Sequence, residues 1–104
     1  MITYNIQITG PAEEDLYEIG AYISKELLEP EIAKKVISKI AEEINSLESM
    51  PLRNALVADE RLAYKGIGQI ILDNYIIFYI ANDGSNIVTI IRILYSRRDW
   101  INLF

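Results

Sequence analysis

The chain has 104 residues, 51% apolar and 24% charged, with 5 Gly and 3 Pro; this is the make-up of one folded domain spanning residues 1–104, not of a disordered or collagen-like polymer. It contains no Cys and no His, which excludes disulfides, thiolate nucleophiles, zinc–thiolate sites and every Ser-His-Asp or Cys-His mechanism. The net charge is −5, yet residues 1–50 hold ten acids against four lysines while residues 51–104 hold five acids against six bases, so a negatively charged partner is expected to meet the second half.

Residues 2–9 alternate, with Ile2, Tyr4, Ile6 and Ile8 on one side and Thr3, Asn5, Gln7 and Thr9 on the other, which predicts a strand with one wet face. The same segment lacks the basic-then-apolar profile of a signal peptide. No stretch reaches the roughly 20 apolar residues of a membrane helix, because Asp73, Asn82, Asp83 and Arg92 interrupt the apolar C-terminal half. A soluble, cytoplasmic protein without membrane contact is expected.

Gly10-Pro11 stops the strand, and Pro11 suits the first helical position, with Glu13, Glu14 and Asp15 complementing the helix dipole. Leu16, Ile19, Ile23 and Leu27 then recur at spacings of three and four, predicting an amphipathic helix over residues 11 to about 28. Glu29-Pro30 starts a second helix, striped by Ala33, Val36, Ile37, Ile40, Ile44 and Leu47 and ended by Ser49-Met50-Pro51. Its outward face carries Glu31 with Lys35 and Lys39 with Glu43 at i,i+4, an arrangement for solubility.

Residues 51–66 read as a long connecting loop, a length that often marks function. Three apolar runs come next, 69–73, 75–81 and 87–95, separated by Asp73-Asn74 and by Asn82-Asp83-Gly84-Ser85-Asn86, which predicts two consecutive hairpins. The expected fold is therefore α+β in the order β-α-α-β-β-β, a helical hairpin packed on an antiparallel sheet. Residues 75–80 and 87–95 are apolar on both sides, so the second sheet face needs a cover, either the chain's own tail through Trp100, Leu103 and Phe104 or a protein partner.

Two segments carry the residue types of chemistry or recognition. The string Ile90 to Trp100 places Arg92, Tyr95, Arg97, Arg98 and Trp100 within nine residues, a composition of binding hot spots able to capture phosphate or carboxylate. The simpler reading makes Arg92 one half of an ion pair on the sheet rim, Arg97 and Arg98 a solvated end, and Tyr95 and Trp100 amphipathic core residues. The loop Asp59 to Gly66 groups Glu60, Arg61, Tyr64 and Lys65, types that support RNA cleavage through a base and cations and equally compose a solvated loop. Glu13, Glu14 and Asp15, or Asp59 and Glu60, are consecutive and lack ligand spacing, so neither a metal site nor a cofactor is expected.

The whole pattern resembles the RelE/ParE superfamily of type II toxins, the plasmid stabilisation family. The resemblance lies in Thr9, Ala12, Asp15 and Leu16 after the first strand, then Ile19, Tyr22 and Ile23. It continues in the hairpin with Tyr75, Ile77, Phe78 and Tyr79, and in the closing run from Ile91 to Trp100. It implies a toxin of a toxin–antitoxin module, held as a hetero-oligomer by a cognate antitoxin that masks its working surface, or as a homodimer. RelE-like members cut messenger RNA on the ribosome as mRNA interferases, and ParE-like members inhibit DNA gyrase. RNA-cutting members carry cations on the central hairpin, where this chain has Gln69, Ile70, Ile71, Leu72, Ile76 and Ile77. The resemblance therefore implies the ParE-like branch, with Arg92, Tyr95, Arg97, Arg98 and Trp100 as binding residues for target or antitoxin. In the alternative, a ribosome-dependent endoribonuclease, Glu60, Arg61, Lys65, Tyr95 and Arg98 would do the chemistry.

Overall fold

A computed structural model describes residues 3–49, 66–82 and 84–96. The elements run β1 (Asn5–Ile8), α1 (Gly10–Ala21), a π-helical turn (Tyr22–Glu26), α2 (Pro30–Ser46), β2 (Ile67–Leu72), β3 (Tyr75–Asn82) and β4 (Ile87–Tyr95). The described strands form one sheet in the order β1-β4-β3-β2. β2, β3 and β4 are antiparallel neighbours, as two hairpins require. β1 joins parallel to β4, with Asn5 opposite Ile87 and Ile8 opposite Ile90. The sheet is therefore mixed rather than antiparallel throughout. The helical hairpin carries the chain across the sheet, the kind of crossover that a parallel neighbour needs and a short turn cannot provide.

Both sheet faces are apolar and both are covered. On the helix side Ala12, Ile40, Ile44 and Leu47 meet Ile70, Ile77, Tyr79, Val88, Ile90 and Ile93. Ala12 is fully buried, and its single methyl lets α1 approach the strands. On the other face Ile67, Ile76, Phe78 and Leu94 form a second cluster with Ile80 and Ile91 beside it. Phe78 there is 0% exposed. Gly68 permits the packing of Tyr79, whose ring atom Cζ would stand 2.8 Å from any Cβ added at that position.

Three details depart from the simple periodic reading. Ile8, expected inward, is 42% exposed, because β1 is the sheet's outer strand and the chain leaves it at Thr9. Leu27 belongs by spacing to the buried stripe of the first helix but is 52% exposed. Its N–H bonds the Tyr22 carbonyl at 3.2 Å, an i→i−5 contact whose extra residue rotates the last side chains of the helix off the 3.6-residue stripe. The outward charges also pair differently, Glu31 with Lys34 at 3.7 Å and Lys39 with Asp73 in the β2–β3 turn at 3.5 Å.

Candidate interaction site

The site is organised around the end of β4 that outruns β1. Beyond Ile90 the β1 side of β4 has no strand partner among the described residues, and the start of α1 takes its place. Thr9, the N-cap of α1, accepts from the Ala12 N–H at 3.3 Å. Its hydroxyl sits 3.0 and 3.1 Å from the carbonyl oxygens of Ile90 and Ile91, and its N–H donates to Ile90 at 3.1 Å. Two turns further, Asp15 Oδ2 accepts the Ile93 N–H at 3.0 Å. The same carboxylate grips Arg92, with Nε at 2.7 Å from Oδ2 and Nη2 at 2.8 Å from Oδ1. This is the paired fork that makes Arg–carboxylate contacts strong.

Asp15 is 7% exposed in its side chain and Arg92 21%. The Asp15 hydrogen bonds raise the Arg92 pKa further above its ordinary value, against a smaller opposing effect of desolvation. Of the two sequence readings of Arg92, the structure shows the ion pair. Its place is in the scaffold that ties α1 to β4. A bulge between Phe78 and Tyr79 in the β3–β4 register lets β4 absorb one extra residue just before it.

Tyr95 ends β4 and is 42% exposed. Its ring meets Tyr75 edge to face, with centroids 6.0 Å apart, a favoured aromatic geometry. The Tyr75 phenol is pushed above its ordinary value of 10.0, first by burial and then by the neighbouring Tyr95, Tyr22 and Asp73. These rings border a groove of about 800 Å³ between α1 with its π-helical turn and the ends of β3 and β4, lined by Glu18, Tyr22, Leu27, Tyr75, Leu94 and Tyr95. Aromatic walls under a rim of Glu18, Glu26 and Lys25 suit an apolar segment with polar ends.

The structure thus brings Arg92 and Tyr95 to one end of β4, Arg92 bound to Asp15 and Tyr95 open in the groove. Glu60, Arg61, Lys65, Arg97, Arg98 and Trp100 lie outside the described residues. In the sequence Asp15 reads as a dipole-complementing charge and a family motif residue, with no direct sign of its hold on β4. The only sequence signal for that contact was Asp15 three residues after the small Ala12, on the face that packs on the sheet. Among the described residues no three His, Cys, Asp or Glu side chains gather as a metal site would require, and no described helix is long and apolar enough to cross a membrane.

Similarity to known proteins runs along the same geometry. A chromosomal ParDE toxin–antitoxin system from P. aeruginosa superposes with a TM-score of 0.75 at 20% identity, over 93% of this chain and 100% of that one. The RelBE2 toxin–antitoxin complex from Mycobacterium tuberculosis gives 0.68 at 20% identity, over 91% and 93% of the two chains. The intact E. coli RelBE complex gives 0.64 at 15%, over 91% and 99%. No curated protein sequence matches. The family model of the ParE toxin of type II toxin–antitoxin systems matches residues 6–100, from the first strand through Tyr95 to Trp100. The chain belongs to the ParE toxin family and is the toxin of a type II toxin–antitoxin module.

Proposed function

We propose that the chain acts by binding, as a ParE-like inhibitor of DNA gyrase, and that the segment Tyr95, Arg97, Arg98 and Trp100 is its contact surface. The observation that carries this reading is the fate of Arg92. It is the one cation among the described strand residues, and its guanidinium is held by Asp15. β2 and β3 add only Ile, Leu, Gly, Gln, Tyr, Phe, Ala and Asn. A phosphate-cleaving site needs a base and a cation positioned together, and the described sheet offers no such pair. The solved relatives are complexes of toxin with antitoxin, which supports a cognate antitoxin for this chain too, laid in the groove over Tyr22, Tyr75 and Tyr95.

The test is toxicity in a growing bacterial culture, scored with folded variants. Arg98→Ala is expected to relieve growth arrest while leaving the circular dichroism spectrum unchanged, and Glu60→Gln is expected to leave arrest intact. The reverse pattern, with growth restored by Glu60→Gln and still arrested by Arg98→Ala, would replace the binding reading with an endoribonuclease.

A further inference from the structure

The two edge strands of the sheet differ in length and tethering, β1 having four residues and β2 six. On the β1 side, the Tyr4 N–H is tied to the Glu48 carbonyl at 2.8 Å, and Thr9 and Asp15 satisfy the groups of β4 that β1 leaves open. Among the described residues, β2 at the opposite side has no such tether. Ile93 turns its N–H away from β3 toward Asp15, so its antiparallel partner Ile77 turns its own groups toward β2. The same alternation makes Gly68, Ile70 and Leu72 face β3. Ile67, Gln69 and Ile71 therefore direct their N–H and C=O groups outward, where no described element pairs with them. The strand holds no charge, no Pro and no bulge, the devices that ordinarily keep an edge from pairing. Ile71 is 66% exposed on it.

We propose that this edge joins two copies of the chain, β2 to β2 antiparallel about a two-fold axis at Gln69, in one continuous sheet with both helical hairpins on the same side. The outward residues read Ile67, Gln69, Ile71, the same in either direction, which is the self-complementarity that a two-fold interface requires. In this register Ile67, itself only 3% exposed in the single chain, stands opposite the partner's exposed Ile71, and the two copies of Gln69 stand opposite each other. These side chains lie on the face opposite the helices, since Ile67, Gln69 and Ile71 stand opposite Ile80, Phe78 and Ile76, of which Ile76 and Phe78 belong to the second cluster. Pairing thus covers the exposed Ile71 and extends that cluster. Because β2 is uncharged, two chains of net charge −5 meet with no like charges opposed across the joint. A strand of another protein would gain nothing from the symmetric order.

Sedimentation of the full chain tests this, with Gln69→Lys and two cysteine variants in a sequence that has no Cys. The native chain is expected to sediment at twice its own mass. Gln69→Lys opposes two like charges on the axis and is expected to weaken the dimer about tenfold or more with the dichroism spectrum unchanged. Gln69→Cys is expected to be joined across the axis by a thiol crosslinker of about 5 Å span, since the Cα atoms of a hydrogen-bonded antiparallel pair are about 5.5 Å apart and their Cβ atoms lie too far apart for an unstrained direct disulfide. Ile71→Cys, which faces Ile67 instead of itself, is expected to stay uncrosslinked. A monomeric native chain, a dimer indifferent to Gln69→Lys, or equal crosslinking by both cysteines would overturn the proposal. So would a monomer whose binding of an antitoxin strand is what Gln69→Lys weakens.

Discussion

Asp15 joins three parts of the molecule through one carboxylate: the first helix, the backbone of β4 at Ile93 and the guanidinium of Arg92. Removing it takes away the acceptor that the Arg92 Nε and the Ile93 N–H share. Asp15→Ala is expected to cost about 3 kcal/mol, the lower end for a broken buried pair because Arg92 keeps some solvent, read as a drop in the urea midpoint. A second residue-scale effect belongs to Tyr75. Its phenol is raised above 10.0 in the folded chain by burial and by its neighbours, so folding favours the protonated form. That contribution is full below the unfolded value near 10 and is lost as pH rises through the higher folded value. Urea unfolding at increasingly alkaline pH should show stability falling from about pH 10 upward, and Tyr75→Phe should remove part of that fall.

At the scale of elements, the junction between the helices is the place where local rules are broken together. The π-helical turn at Tyr22–Glu26 leads into Leu28 at φ 54°, with the Glu29 N–H returning to the Ile23 carbonyl at 3.0 Å, a closure usually built on Gly. Leu28 is 78% exposed, so Leu28→Gly removes backbone strain without emptying the core. A gain of about 1 kcal/mol is expected, measurable as a higher midpoint of thermal unfolding. Much of the fold is legible in the residues themselves: the β4 run at residues 87–95, the stripe through Ile40, Ile44 and Leu47, and the turn at Asp73-Asn74 arise from periodicity and turn chemistry. The rest depends on non-local geometry. Nothing local tells that β1 lies parallel beside β4, that an extra residue rotates Leu27 outward, or that Asp15 and Arg92, 77 positions apart, meet. Of the candidate site, Tyr95 is visible in the sequence as an amphipathic aromatic in a basic string, while the opposing wall from Tyr22 and Leu27 exists only because of the π-helical turn.

Across the whole molecule the charge is divided along the chain. The acidic first half contains the two helices, and the basic second half contains β2, β3 and β4 and the string ending at Trp100. The ion pair of Asp15 with Arg92 holds the two halves together at the point where that string begins. On the proposed reading, the helices and sheet present this segment to a target, and the action is binding without bond cleavage. The most direct measurement of that claim is a supercoiling assay with purified DNA gyrase, run beside messenger cleavage in a purified translation system, using the chain free of any antitoxin. Supercoiling is expected to fall as the native chain is added and to persist with Arg98→Ala, with the message intact in both cases. Undiminished supercoiling together with cleaved message would contradict the binding mechanism.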